Sequence, residues 1–377
     1  MSKLLQEIDS LERRFGSGWI SGIIALALAI FGFATVLCFC YPSLLTVDGA
    51  RQAYADNLGV IRILLQAILL AAFVLALISA MLRGNKILGF TAMALVLGAT
   101  LMGGSKASAR LNVDTDVYLG LDFFLLNLIF LGALFIPIER LLKKNDQPIL
   151  RYEWREDLLY FLISTLFVQT LTYLSLNPSL TALAATTSLD GIRKAIASQP
   201  LIIQFLEIMF LTDFVQYWFH RTFHKIPWLW NFHAVHHSAQ AMDWLAGSRM
   251  HVVEVLLMRA TTTLPMYVMG FAAGPLYAYI FFVYLLSVFI HANLRINFGI
   301  MNYIIATPRF HHWHHGIEEE AIDVNFAIHF PVIDMMFGTF HMPGSRWPEG
   351  YGVGGHPVPK GFIKQFFYPF RPGKDDE

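Results

Sequence analysis

The chain has 377 residues, of which 56% are hydrophobic and 14% are charged, and its mean hydropathy is +0.52. A soluble domain carries roughly 25% charged residues, so this composition indicates a membrane protein. Lys and Arg balance Asp and Glu at 27 each, and a net charge of zero gives no support to nucleic-acid binding.

The chain opens on an amphipathic segment, MSKLLQEIDSLERRF, which we expect to lie along the cytosolic membrane face without being a removable signal peptide. Apolar stretches near the ~20 residues that span a bilayer then recur. We place them at 18–41, 59–82, 87–104, 118–137, 157–175, 201–219, 253–272 and 275–291. The pair over 253–291 is also compatible with a re-entrant hairpin. The pattern predicts an all-α, polytopic helical membrane protein of about eight segments, with a cytosolic helical cap.

Basic residues of the short loops favour one side of the membrane, most clearly at Arg140, Lys143, Lys144, Arg151 and Arg155. Because cytosolic loops carry the excess of Lys and Arg, both termini and the histidine-rich segments are predicted to be cytosolic. The predicted location is a multi-pass protein of the bacterial inner membrane or the endoplasmic reticulum.

The polar stretch 138–156 (ERLLKKNDQPILRYEWRED) is the predicted boundary between domains. Residues 1–137 precede it, with about four membrane helices of unknown role. Residues 157–345 form the predicted reactive domain, because they contain the clustered histidines. Residues 346–377 form a C-terminal cytosolic tail.

A polar stripe runs along the apolar segment that begins near residue 201. Asp213, Gln216, Tyr217, His220 and His224 share one helical face. Such a stripe needs internal partners, since lipid offers none. Helix-to-helix hydrogen bonding is one interpretation. Two histidines one turn apart favour metal binding, with Asp213 orienting a ligand or a nearby arginine.

Two further clusters repeat the pattern HxxHH, the first in WNFHAVHHS and the second in RFHHWHHG. Together with the HxxxH of the polar stripe they give eight candidate ligands: His220, His224, His233, His236, His237, His311, His314 and His315. Imidazole suits iron, zinc, copper and nickel alike. Eight neutral ligands exceed the usual coordination number of one metal, so two metals are predicted, with charge balanced by carboxylates such as Asp213, Asp243, Glu254, Asp323 and Asp334.

The remaining histidines receive other predictions. His291, in FIHANL, is either an interfacial residue or a ninth ligand. His312 is expected to face away from the metal-binding side. His251 is expected to support the site together with Arg249 and Glu254. Structural roles are predicted for His329, His341 and His356.

HRTFH, HAVHH, FIHANL and TPRFHHWHHG resemble the histidine motifs of the fatty acid hydroxylase superfamily, also called the sterol desaturase family. The segment DVNFAIHFPVIDMMFGTF resembles the stretch that follows the last histidine motif. Within the superfamily, the chain is most similar to the alkylglycerol monooxygenase-like and bacterial sterol-desaturase-like branch. The resemblance covers about residues 155–345.

The resemblance implies a non-haem di-iron centre held by the eight histidines and His291, with Asp213, Asn293 and Asp323 supporting the ligands. Zinc is a substitute metal that a purified sample can carry. The implied reaction is O2-dependent hydroxylation of a fatty acyl, alkyl or sterol-type C–H bond. The lipid would enter from the bilayer into a cavity lined by 281–289 and Phe326. No haem-binding module is recognised, so a separate cytochrome b5-, ferredoxin- or pterin-type donor is implied.

Two alternatives remain at this point. A lipid or sterol desaturase would use the same motifs and differ only in the fate of the oxidised carbon. A polyhistidine metal transporter belongs to another class, and it should place its ligands in broken helices near the bilayer midplane. The clusters lie instead at segment ends and in polar loops, which disfavours transport.

Overall fold

The computed structural model describes residues 3–10, 13–109, 118–185, 189–354 and 358–370. Within these residues the secondary structure is helical, with isolated β-bridges and no strand, so the predicted all-α fold is confirmed. The α-helices are α1 (Lys3–Ile8), α2 (Trp19–Cys40), α3 (Pro42–Leu45), α4 (Asp48–Asp56), α5 (Leu58–Leu82), α6 (Ile87–Leu101), α7 (Leu121–Leu141), α8 (Trp154–Leu166), α9 (Val168–Ala185), α10 (Asp190–Ala197), α11 (Leu201–Lys225), α12 (Pro227–His237), α13 (Val252–Val268), α14 (Ala273–His291), α15 (Pro308–His314), α16 (Pro331–Phe337) and α17 (Phe362–Phe367).

Among the described residues, six helical segments are long and apolar enough to cross a bilayer, as in a membrane protein: α2, α5, Ile87–Lys106, α7, α11 and α14. Helices α8 and α9 meet at a bend of 64° and add a seventh span if the pair is counted as one. The described part of the chain therefore contains six or seven spans, fewer than the predicted count of about eight. The stretch 253–272 makes the difference, because α13 has only 17 residues and carries Glu254 and Arg259.

The described residues divide into two compact units. The first comprises Met1–Asn127 with Thr165–Gln169. Its centre is the packing of α2, α5 and α6 through small side chains such as Ala25 and Ala72. Small residues let helices approach closely in an apolar environment. The close approach of α5 and α6 is visible at Gly89, where an added Cβ would lie 2.6 Å from the carbonyl oxygen of Ala76.

The second unit comprises Leu128–Ser164 with Thr170–Glu377 and contains every clustered histidine. Helix α11 packs against α12, α13 and α14, and α14 packs against α15. The predicted domain limits at 138–156 and 345 stay a prediction.

Prolines begin the three short helices α12, α15 and α16 of the second unit. Pro227, Pro308 and Pro331 each occupy the first position of a helix, where a missing N–H costs nothing. Ile226, just before Pro227, is extended and ends α11. Helix α12 therefore begins immediately after α11 ends, which brings the histidines of the two helices together.

Candidate metal centre

The last turns of α11 carry the first histidine pair. His220 and His224 are one turn apart, and their ring centroids lie 5.2 Å from each other. Across the corner at Pro227, both rings face α12. The His233 ring centroid is 4.7 Å from that of His220 and 4.8 Å from that of His224.

The nine predicted ligands converge in two groups, and within each group the candidate ligand atoms lie within 4.8 Å of one another. We call them the five-histidine group and the four-histidine group. The first contains His220, His224, His233, His237 and His314; the second contains His236, His291, His311 and His315. The groups are adjacent, since the ring centroids of His237 and His315 are 4.4 Å apart.

Each HxxHH motif divides between the two groups. In α12 the outer pair, His233 and His237, joins the five-histidine group while His236 joins the other. At α15 the outer pair, His311 and His315, joins the four-histidine group while His314 crosses over. Side chains separated by three and four residues share one helical face but diverge slightly around it. That divergence lets one helix serve two metal positions.

His291, at the end of α14, lies in the four-histidine group, although the sequence alone left its role open. Its Nε2 is 3.3 Å from Nε2 of His236 and 3.0 Å from Nε2 of His311. Gly247 makes room for the ring, because a Cβ at that position would lie 2.8 Å from Nδ1 of His291.

Backbone carbonyls fix the orientation of four of these rings through Nδ1. In the five-histidine group, His220 contacts the oxygen of Phe326 and His314 that of Val324, both at 2.8 Å. In the four-histidine group, the acceptors are Arg249 at 2.9 Å for His236 and Ser287 at 2.6 Å for His291. A carbonyl only accepts, so Nδ1 carries the hydrogen and a neutral ring presents a lone pair at Nε2.

These lone pairs point at one another. Nε2 of His236 faces Nε2 of His291 with no hydrogen available to either neutral ring, an arrangement that is repulsive unless a cation lies between them. Bonds of about 2.1 Å to one metal at right angles would place ligand nitrogens about 3 Å apart. The Nε2–Nε2 separations of 2.9 to 3.3 Å match that spacing.

Two further nitrogens support the same interpretation. Nε2 of His224 and Nε2 of His314 are buried and find no hydrogen-bond partner in the part of the chain that the structure describes. A buried polar atom without a partner is costly, and here both belong to the five-histidine group. The residues therefore fit a metal ion in each group. An all-imidazole donor set without thiolate does not select among iron, zinc, copper and nickel.

Burial, reinforced by neighbouring imidazoles, lowers the pKa of the histidines on α12 and around α15 well below the ordinary value. This holds for His233, His236, His237, His311, His314 and His315. The rings are consequently neutral near pH 7, the form in which imidazole binds a metal.

Two carboxylates contact the outer nitrogens of ligands among the described residues. Oε1 of Glu254 is 2.5 Å from Nδ1 of His233, and both side chains are buried. Oδ1 of Asp323 is 3.4 Å from Nδ1 of His224, and its other oxygen accepts from Lys225 at 2.5 Å. His224 and Lys225 lower the pKa of Asp323 to about 2. A carboxylate behind a metal-binding histidine fixes the ring and strengthens it as a ligand.

Asp213 and Asn293 have other contacts. Asp213 accepts the backbone N–H groups of Ile328, His329 and Phe330 at 2.7 to 3.1 Å, and no contact joins it to any of the nine histidines. Asn293 binds the backbone of Asn145 through its side-chain oxygen and nitrogen, both at 2.9 Å. Neither side chain orients a ligand directly, because each satisfies the backbone of a loop.

Asp213 acts on the centre through residues 324–330. This irregular segment supplies the carbonyls that hold His220 and His314, and two buried carboxylates hold its N–H groups. Asp334 accepts from Phe326 and Ala327, and Asp213 accepts from the next three residues. The Phe326 ring packs against the five-histidine group, with its centroid 5.0 Å from that of His224.

A buried ion network that sequence reasoning missed supports the four-histidine group. Arg249, whose carbonyl holds His236, donates through Nε to Asp157 at 2.5 Å and through a terminal nitrogen to Glu153 at 2.8 Å. Arg151 donates to Asp157 at 2.5 Å and to Asp243 at 2.7 Å. Three of these four pairs join the stretch 151–157 to the distant stretch 243–249, so no spacing rule could have predicted them.

The other described histidines lie outside both groups. Nδ1 of His312 is 2.8 Å from the Tyr351 hydroxyl. His251 accepts from the backbone of Val253 at the start of α13 and contacts the oxygen of Phe366. His329 is buried near Asp213, and His341 lies near Glu320. His356 lies outside the described residues.

Comparison with known proteins finds a family model that matches this region. Residues 205–339 match the family model described as Fatty acid hydroxylase, a range that includes all nine histidines. The chain is 31% identical over 175 residues to the ornithine lipid hydroxylase OlsE of Rhizobium tropici, which is 45% of this chain and 51% of that protein. The superfamily resemblance is thereby confirmed.

Alkylglycerol monooxygenases are similar over shorter stretches. The human protein is 32% identical over 149 residues, 39% of this chain and 32% of that protein. The protein of Xenopus tropicalis is 32% identical over 130 residues, 34% of this chain and 28% of that protein. The chain thus spans about half the length of the ornithine lipid hydroxylase and about a third of the monooxygenases. No solved structure matches it.

Proposed function

We propose that this chain is a membrane-bound, non-haem di-iron enzyme that uses O2 to hydroxylate a C–H bond of a lipid. The observation that carries the proposal is the convergence of nine buried imidazoles into two adjacent groups, with carbonyl-bound Nδ1 atoms and inward-facing Nε2 atoms. The match to the fatty acid hydroxylase model supports the choice of iron over other metals that imidazole binds.

In the proposed reaction one oxygen atom of O2 is inserted into the C–H bond, and the other leaves as water after two electrons and two protons are supplied. When bound, iron supplies the redox chemistry that activates O2. The protein holds the imidazoles in fixed tautomers and provides compensating charge from Glu254 and Asp323. Burial of the centre, with Phe326 against it, excludes water that would compete for the oxidant.

The substrate and partners follow from the same chemistry. A lipid would enter from the bilayer, and a separate cytochrome b5-, ferredoxin- or pterin-type donor would supply electrons. We place the centre and both termini on the cytosolic side by the bias of basic loops. We also retain 157–345 as the oxygenase domain.

Hydroxylation is favoured over desaturation by the names of the similar proteins. OlsE is an ornithine lipid hydroxylase, and the human and Xenopus relatives are alkylglycerol monooxygenases. A methylsterol monooxygenase of Arabidopsis thaliana is also similar, at 26% identity over 146 residues.

The test is comparative lipidomics of membranes that contain the wild-type chain or its His314→Ala variant. His314 holds a partnerless buried Nε2 in the five-histidine group, so its loss should abolish lipid oxidation. His341→Ala is the matched control, because that histidine lies outside both groups and should leave the product unchanged.

The mass of the product separates the alternatives. A wild-type lipid heavier by one oxygen supports hydroxylation. A lipid lighter by two hydrogens supports desaturation at the same site. A lipid profile identical in wild type and His314→Ala would contradict both.

A further inference from the structure

A cationic cavity opens at the surface of the second unit, away from the nine histidines. Its volume is about 480 Å³, within the range of roughly 300–1,000 Å³ typical of small-molecule sites. Its lining includes Arg295, Asn297, Tyr303, Arg309 and Trp347. The described residues that line it include no Asp or Glu.

The guanidinium groups of Arg295 and Arg309 have N–H donors that are not used in hydrogen bonds within the described part of the chain. Arg295 is exposed, and its side chain makes no hydrogen bond or ion pair with the described part of the chain. Arg309 donates one hydrogen bond, to the carbonyl oxygen of Gly344 at 2.9 Å. A guanidinium has five N–H donors, so both can bind an anion, and two of them can grip one phosphate or carboxylate in forked geometry.

Exposed apolar side chains lie next in sequence to the lining residues Gly299 and Asn302. Ile300, Met301, Tyr303 and Ile304 are exposed by 70%, 45%, 49% and 49%. Four such residues within five positions are unfavourable in water but fit the membrane interface, where aromatic and basic residues also gather. A protein partner would need about 800 Å² of contact surface, whereas a cavity of this size fits a single headgroup.

The cavity and the four-histidine group share two stretches of chain. Arg295 follows His291 by four residues, and Arg309 precedes His311 by two. A molecule held between the two arginines is thus anchored to the same segments that carry two candidate ligands.

We propose that this cavity binds the anionic headgroup of a membrane lipid, through a phosphate or carboxylate held by Arg295 and Arg309. The bound lipid then lies with its polar end against the residues next to the four-histidine group and its chains in the bilayer. That this lipid is the substrate rests on the proposed lipid hydroxylation, whereas the binding itself does not.

The test is lipid binding to the delipidated full-length chain, measured by native mass spectrometry. Phosphatidylglycerol and phosphatidylcholine with identical acyl chains are added in equal amounts. Wild type should prefer phosphatidylglycerol, and Arg295→Gln/Arg309→Gln should lower that preference about tenfold, as expected for the loss of charge-assisted hydrogen bonds. Arg346→Gln is the matched control, because this exposed arginine pairs with Glu320 nearby and does not line the cavity.

A second arm identifies the source of the anion. Glycerol phosphate is titrated against bound phosphatidylglycerol, and Ile300→Ser/Met301→Ser is compared with wild type. Weaker lipid binding in the serine variant supports a lipid headgroup. Equal affinity for the lipid and for glycerol phosphate, with no effect of the serine variant, would assign a free anion and overturn the proposal.

Two results separate this proposal from the proposed reaction. Iron content of the arginine variants should equal that of wild type, since neither residue belongs to a histidine group. If wild type binds both phospholipids equally and the arginine variants lose only electron uptake from an acidic donor protein, the cavity is a protein-docking surface and our assignment is wrong. If phosphatidylglycerol preference holds while lipidomics shows no oxidation, the cavity assignment stands and the proposed reaction fails.

Discussion

Backbone carbonyls, which no substitution removes, orient four of the nine histidines. Substitution can therefore test the orientation of an imidazole ring only where another side chain holds that ring. Glu254 and Asp323 are those places in the described part of the chain, and Gly247 tests orientation by steric contact instead. Each permits a variant that keeps all nine imidazoles.

Glu254→Gln should weaken metal binding while leaving every ligand in place. Burial raises the pKa of Glu254 to about 8, and a cation bound to His233 would lower it again; the amide oxygen of the variant can still accept from Nδ1 of His233 but cannot take on that negative charge. Loss of such a partner costs typically 10–100-fold in metal affinity or activity. Metal titration of the apo chain measures it. Glu207→Gln is the control, because Glu207 binds Gln199 and no histidine of either group. Equal affinities in wild type and Glu254→Gln would contradict the assigned role.

Gly247→Ala should perturb the four-histidine group alone. The new methyl group would lie 2.8 Å from Nδ1 of His291 and push the ring off its position. We expect bound metal to fall from about two ions per chain toward one, because the five-histidine group is untouched. Elemental analysis of the purified protein measures this. Gly274→Ala, in the same helix as His291 but with no neighbour within 4 Å, should keep the wild-type content.

At the scale of elements, the short helix α12 and the irregular segment 324–330 contribute as much to positioning the histidines as the long helices do. The corner at Pro227 joins α11 to α12 without a connecting loop, and residues 324–330 reach the centre as bare backbone held by Asp213 and Asp334. The network of Arg151, Asp157 and Arg249 fixes the other side. A buried network of this kind is costly to break, because removing one partner leaves the others charged and unpaired.

Asp157→Asn should destabilise the second unit by about 3–5 kcal/mol, the usual cost of breaking a buried ion pair. Asp157 is fully buried between two arginines, so no water replaces the lost charge. Denaturant unfolding in detergent measures the change. Asp146→Asn removes the partner of Lys143 in an exposed pair and should leave the midpoint unchanged. A midpoint shift of the same size in both variants would show that burial does not matter here.

Much of this arrangement could be predicted from the sequence, and the rest depends on tertiary contacts. Apolar runs predicted the long helices, and histidine spacing predicted eight of the nine imidazoles that converge, whereas the two-metal site itself stays a prediction. The failures are specific. Helical spacing correctly placed Asp213 on the same face as His220. It could not show that the backbone N–H groups of 328–330, which belong to another segment, donate their hydrogen bonds to that carboxylate. The division of each HxxHH motif between two groups likewise depends on where α11 and α14 lie.

For the whole molecule, the two compact units differ in what they contribute to the candidate metal centre. The candidate ligands all lie in the second unit, whereas the first contributes an apolar core of small residues around α2, α5 and α6. Metal that binds the folded second unit and not its unfolded chain must raise the stability of that unit.

Removal of metal should lower the unfolding temperature of the chain. At a free metal concentration a hundredfold above the dissociation constant, binding contributes about 3 kcal/mol. Differential scanning calorimetry of apo and metal-loaded protein in the same detergent measures the shift. The His236→Ala/His314→Ala variant lacks one ligand from each group and should show a much smaller shift. An unfolding temperature independent of metal would mean that the two groups do not bind it in the folded state.

The sharing of α12 and α15 between the two groups also bears on biosynthesis. As the chain leaves the ribosome, His220, His224, His233 and His237 are complete long before His314 and His315 exist. The α11–α12 corner alone thus presents four imidazoles, which can bind an unintended cation before the rest of the second unit has been translated. The four-histidine group cannot close until α14 and α15 have been made and packed. If each group binds one metal ion as we propose, both ions can be in place only after His315 has been translated, so the metal must reach a nearly finished chain rather than a growing one.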